Sequence, residues 1–163
     1  MVAKVILVSA CLLGVNTKYN GGNNLHPGVC ELLDKAMLVP FCPEQLGGLS
    51  TPRAATEIVH GDGNDVLSGC AKVKTKENQD RTEAFIKGAQ ESLYLARKLK
   101  AAGALLKARS PSCGSGCIYA GDFSGAVKTG DGVAAAALKQ AGLPVFTEEQ
   151  FKEFKCWLDG RDS

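Results

Sequence analysis

Lys4 to Val8 reads K-V-I-L-V, an apolar, β-branched run without polar alternation. A strand with one wet face would alternate, so this one needs apolar cover on both sides, as inside a parallel sheet. Similar short runs recur at Met37–Phe41, Ala104–Ala108 and Pro144–Phe146. Segments of helical spacing separate them. Pro27 suits a first helical turn, and Val29, Leu32, Leu33 and Ala36 follow on one face. Phe85, Ile86, Ala89, Leu93, Ala96 and Leu99 mark the longest helix, which should end near Gly103. An Ala-rich helix runs from Val133 to Ala141 and closes at Gly142. Thr147 and Gln150 have the spacing of a capping box for a last helix to about Trp157. The alternation predicts an α/β fold, a three-layer single domain over 1–163 with a mostly parallel, Rossmann-like sheet flanked by helices.

The other segments are read as follows. Residues 46–56 form an ordered loop. Asp65 to Lys76 is a strand pair turning at Ser68-Gly69, with Lys72, Lys74 and Lys76 on its solvated face. Asp80 and Glu83 cap the long helix, and Arg109 to Gly125 is a loop dense in Ser and Gly. No repeat or linker interrupts the chain. Hydrophobic residues make up 45% and charged residues 22%, a composition that folds. A net charge of +2 is too small to argue for nucleic acid or an anionic membrane as partner. The apolar start is too short for a signal peptide, and no run approaches a membrane span. The expectation is a cytoplasmic protein acting on a small molecule, as a monomer or homodimer.

Seven cysteines in 163 residues is a high, odd count. In a reducing compartment they should be thiols, with the clustered ones binding metal or reacting. Cys11 follows the first strand, Cys42 ends the second and Cys113 lies in the loop after the third. Ligands of an open parallel sheet bind beyond the carboxyl ends of its strands, so these three should converge. A lone strand-end cysteine is usually a small buried side chain; three in Gly/Pro loops at one edge suggest a shared metal centre. No C-x2-C pair is present, which disfavours zinc, and neither His26 nor His60 adjoins a candidate ligand. All-thiolate ligation then favours an iron–sulfur cluster, and three ligands leave one iron open. Cys117 stands at ligand spacing from Cys113 and is an alternative fourth ligand. Cys30, Cys70 and Cys156 read as ordinary side chains.

Glu44, two residues after Cys42, is placed to act as general base beside such a centre. Ser110 and Ser112 flank Pro111 just before Cys113, and either hydroxyl could bind substrate or carry a proton. Arg53 and Arg109 are candidate anion or carbonyl binders. Two other readings remain open at this level: a metal-free thiol enzyme carrying a persulfide on Cys113, and a non-catalytic metal sensor using Cys117.

Five blocks in order, Val8-Ser9-Ala10-Cys11-Leu12-Leu13-Gly14, Tyr19-Asn20-Gly21-Gly22-Asn23, Cys42-Pro43-Glu44-Gln45-Leu46-Gly47-Gly48, Thr51-Pro52-Arg53 and Ser110-Pro111-Ser112-Cys113-Gly114, resemble the thiouracil desulfurase family. The resemblance runs to about Phe146. It implies a [4Fe-4S] cluster on Cys11, Cys42 and Cys113, whose fourth iron takes the sulfur of a thiolated nucleobase such as 2-thiouracil. It implies Glu44 as the catalytic acidic residue and a serine from the Ser-Pro-Ser-Cys block, with Ser110 expected over Ser112. The implied reaction is non-redox and yields uracil and hydrogen sulfide. Cys117 lies outside the motif.

Overall fold

The computed structural model describes residues 2–161. In chain order, β1 is Val5–Ser9, α1 Pro27–Cys30, β2 Met37–Phe41, α2 Pro43–Leu46, β3 Thr56–Val59 and α3 Gly63–Leu67. Then come β4 Lys72–Thr75, α4 Thr82–Lys98, β5 Gly103–Leu106, β6 Cys117–Tyr119, β7 Val127–Thr129, α5 Val133–Gln140, β8 Val145–Thr147 and α6 Phe151–Leu158. The four expected apolar runs make one sheet in the order β2-β1-β5-β8, with every pair parallel. Pro40 is tolerated because β2 is an edge strand.

The sheet is covered on both sides, as the first apolar run requires. Ile6, Val8 and Leu105 pack with Val29, Leu32, Phe154 and Leu158 from the α1 and α6 side. Leu7, Ala104 and Leu106 pack with Ala96, Ala135 and Leu138 from α4 and α5. Ile6, Leu7 and Val8 are each fully buried, and each contributes about 1.5–3 kcal/mol relative to an exposed side chain. No helix among the described residues is long and apolar enough to cross a membrane.

The strand pair expected over Asp65–Lys76 is different in the structure. β4 pairs antiparallel with β3, from Thr56↔Thr75 to Val59↔Lys72, and Asp65 belongs to α3. The Asp62 side chain accepts the Asn64 and Asp65 N–H groups, while Asp65 Oδ2 accepts the Asp62 N–H at 2.9 Å. This capping box starts a helix where a strand was expected. Asp80 and Glu83 form no such box. Asp80 Oδ1 accepts the Thr82 N–H at 2.8 Å, and Oδ2 pairs with Lys72 at 3.1 Å, so the carboxylate is already engaged. The long helix stops at Lys98, short of Gly103, which opens β5. The Ser/Gly-dense stretch holds β6, which pairs with β7 from Cys117↔Thr129 to Tyr119↔Val127. Thr147 does donate its N–H to Gln150 Oε1, at 3.1 Å, ahead of the last helix.

Two ribbons, β3-β4 and β6-β7, stand apart from the parallel sheet. Glu57 joins them, its Oε1 accepting the N–H groups of Gly121 at 2.8 Å and Phe123 at 3.2 Å. Ile58 and Val73 from one ribbon and Ile118 from the other share a core with α3, α4 and α5.

Candidate active site

The chain reverses its direction of travel across the sheet at β1. After β1 it moves to β2 on one side, and it returns through β5 on the other. A crevice opens beyond the carboxyl ends of strands at such a switch point. Here it is a cavity of about 380 Å³, and Cys11, Cys42 and Cys113 all line it. Glu44, Arg53, Ser110 and Ser112 line it as well. The thiols ring the space rather than meeting at one point. Among the described residues, no three His, Cys, Asp or Glu side chains gather closely enough for a single metal ion.

Each thiol has its own anchorage. Cys11 lies in a 3-10 turn, Ala10–Leu13, and its carbonyl accepts N–H groups from Gly14 at 3.1 Å and Asn24 at 3.0 Å. Cys42 is the residue before α2, a single turn pressed against α4 where Gly47 and Gly88 meet. A Cβ on Gly47 would overlap the Ala84 carbonyl, and one on Gly88 would overlap the Pro43 carbonyl. Only glycine permits that approach. Cys113 sits in a loop whose carbonyls satisfy the first turn of α5. Val133 N–H donates to the Pro111 carbonyl at 2.8 Å, and those of Ala134 and Ala135 donate to the Ser112 carbonyl at 3.0 Å. The start of a helix has N–H groups with no partner in the helix, so this loop and α5 fix each other.

Burial raises the pKa of all three thiols. It is the largest effect on Cys11, where a hydrogen bond with the Asn24 side chain opposes it, and on Cys42, where a backbone hydrogen bond opposes it. It is strongest on Cys113, despite an opposing hydrogen bond from Ser9. A buried thiol of this kind is a poor nucleophile by itself, which counts against a bare Cys113 attacking sulfur. A metal would take the place of the protons and supply the missing positive charge.

Beside the thiols, a polar chain crosses the cavity wall. Arg53 Nε donates to Glu44 Oε1 at 3.0 Å, with both side chains nearly buried. Arg53 also donates to the Thr17 carbonyl at 2.9 Å and Thr51 Oγ1 at 3.0 Å, and approaches Cys42 Sγ at 3.8 Å. Ser112 Oγ donates to the other carboxylate oxygen, Glu44 Oε2, at 2.9 Å. Ser110 Oγ lies 3.0 Å from Ser112 Oγ and accepts the N–H groups of Ser112 and Cys113, each at 3.2 Å. An ionised carboxylate only accepts, so the Ser112 hydrogen points to Glu44 and the Ser110 hydrogen to Ser112.

Other candidates fall outside this set. Cys117 starts β6 and is not among the residues lining the cavity. Arg109 pairs with Glu149 at 2.8 Å, also away from the cavity lining. His26 Nδ1 accepts the Val29 N–H at 3.3 Å and caps α1. Cys30, Cys70 and Cys156 are free thiols, and Cys70 is exposed. Ser9 and Lys107, which no sequence motif singles out as functional, also line the cavity at the ends of β1 and β5. Their strand-end positions were the available signal.

The 2-thiouracil desulfurase family profile matches residues 6–150. The chain belongs to the 2-thiouracil desulfurase family. The uncharacterized protein YbbK of Bacillus subtilis strain 168 is 47% identical to this desulfurase-family chain over 149 residues, which is 91% of this chain and 99% of the relative. The solved structure of the [4Fe-4S]-dependent thiouracil desulfidase TudS aligns with a TM-score of 0.84 at 37% identity, covering 96% of this desulfurase-family chain and 98% of the other.

Proposed function

We propose that this chain is an iron–sulfur-dependent desulfurase that converts thiolated nucleobases such as 2-thiouracil to uracil and hydrogen sulfide by non-redox hydrolysis. The cofactor is a [4Fe-4S] cluster on Cys11, Cys42 and Cys113. One observation carries the reading: thiols just after β1 and β2 and in the loop that follows β5 line a single cavity together with Glu44 and Ser110. The donors fit the group. They are all sulfur, and two have a hydrogen-bond donor within reach: Arg53 for Cys42 and Ser9 for Cys113.

When bound, the cluster supplies a Lewis-acidic iron without a protein ligand, which polarises the thiocarbonyl sulfur. The protein's own part is hydrolytic. Glu44 accepts a proton from water as the water oxygen attacks the carbon. Its four lone-pair positions leave room for that water beside the bonds from Arg53 and Ser112. Arg53 fixes the carboxylate and offsets its charge. Ser110 acts through Ser112, orienting Glu44. A C–O bond forms and the C–S bond breaks. The two protons of water leave with the sulfur as hydrogen sulfide, so no electron donor is consumed.

Anaerobic purification tests this. A brown protein with four irons per chain that turns 2-thiouracil into uracil and sulfide is expected. A colourless preparation of equal activity would return the reaction to a metal-free thiol mechanism.

A further inference from the structure

We infer that Ser9 is a positioning residue for the cluster, holding one O–H···S hydrogen bond on Cys113 that tunes the charge of that thiolate. The inference rests on the cluster assignment above and extends it to a residue with no part in the hydrolysis.

The geometry fixes the direction of the bond. Ser9 ends β1, and the register Val8↔Leu105 places it beside the end of β5. There the sheet ladder gives way to a side chain: the Lys107 N–H donates to Ser9 Oγ at 2.9 Å. That N–H occupies a lone pair of the hydroxyl oxygen, and the single hydroxyl hydrogen is left to donate. The acceptor within reach is Cys113 Sγ at 3.3 Å, and both side chains are buried. Ser112 Oγ is also 3.7 Å from this sulfur, but its hydrogen is committed to Glu44 at the shorter distance of 2.9 Å. Ser9 is therefore the dedicated donor to Cys113, aligned by the sheet before any metal arrives.

A hydrogen bond to a ligating thiolate withdraws charge from it, which makes the attached iron more electron-poor and raises the reduction potential of the cluster. Wild-type, Ser9→Ala and Ser9→Thr proteins, loaded anaerobically, are titrated with reductant while the reduced cluster is followed by electron paramagnetic resonance. The midpoint potential of Ser9→Ala should shift negative, and Ser9→Thr, which keeps the hydroxyl, should return it toward wild type. Ser9→Ala also orphans the Lys107 N–H, but that cost lowers the melting temperature of empty and loaded protein alike and does not move the potential. A Ser9→Ala midpoint equal to wild type overturns the inference. Should Ser9→Ala not load, Ser9→Cys keeps a weaker donor: a potential below wild type supports the inference, and a wild-type value defeats it. A wild-type preparation that holds no four-iron cluster fails earlier and overturns the cluster reading itself.

Discussion

Ser112 Oγ donates to Glu44 Oε2 at 2.9 Å across 68 residues of sequence, tying the loop that carries Cys113 to the helical turn that follows Cys42. Because Arg53 holds the other oxygen, the Glu44 carboxylate is clamped from two sides before substrate arrives. Removing its basicity without changing its shape is therefore a clean experiment. Glu44→Gln should keep wild-type iron content and lose roughly 10²–10⁴-fold in kcat, the range of a general base. Retention of full turnover would remove Glu44 from the mechanism.

The two serines should behave differently. Ser112→Ala deletes the bond to Glu44 and should lower kcat by about tenfold or more. Ser110→Ala also frees two backbone N–H groups, and each unsatisfied group costs about 1–3 kcal/mol if buried. It should thus reduce both activity and melting temperature. Parallel denaturation and kinetic measurements check this; equal melting losses in the two variants would contradict the assigned hydrogen bonds.

Arg53→Ala leaves a nearly buried carboxylate without its cation. Breaking such a pair from one side costs roughly 3–5 kcal/mol when fully buried. Arg53→Lys keeps the charge but cannot hold Glu44, Thr17 and Thr51 together. Chemical denaturation should rank wild type above Arg53→Lys above Arg53→Ala, and both variants should lose activity. A wild-type rate in Arg53→Lys would mean that the fork geometry is unimportant.

Iron stoichiometry separates the thiols. Cys11→Ser, Cys42→Ser and Cys113→Ser should each fail to retain a complete cluster after anaerobic loading, and Cys117→Ala should match wild type in iron and turnover. Loss of iron in Cys117→Ala would support a closed, four-ligand site. Stripping iron from wild-type protein with chelator under air should abolish desulfuration, and reconstitution should restore it.

Gly88→Ala tests the seat of α2. The added methyl meets the Pro43 carbonyl, backbone that cannot step aside as a flexible side chain would. Overpacking of this sort costs about 1–3 kcal/mol. Since Pro43 lies between Cys42 and Glu44, iron retention should fall along with stability. A variant less stable but fully loaded would show that the seat serves folding alone.

The sheet was readable because β1 and β5 are buried on both faces, which writes an apolar run into the sequence. The thiols were readable for a related reason, since each follows a strand end. The β3-β4 pairing was not, because α3 lies between the partners and Asp62 with Asp65 carries a capping signal in an unusual residue choice. β6 and β7 are three residues each, too short to impose a period amid Ser and Gly. Ser9 and Lys107 became visible as partners only through the register of β1 against β5. No local pattern contains a register. Residue chemistry alone left Ser110 and Ser112 equal and only the family resemblance favoured Ser110, whereas the hydrogen bonds place Ser112 directly on Glu44 and Ser110 one step behind it.

The cavity wall has two origins. Its thiols hang from the parallel sheet, whereas Thr56, Glu57 and Tyr119 reach it from the separate β3-β4 and β6-β7 ribbons. Substitutions in the ribbons can thus remodel one half of the wall while the strands that carry the sulfur cradle are inherited unaltered.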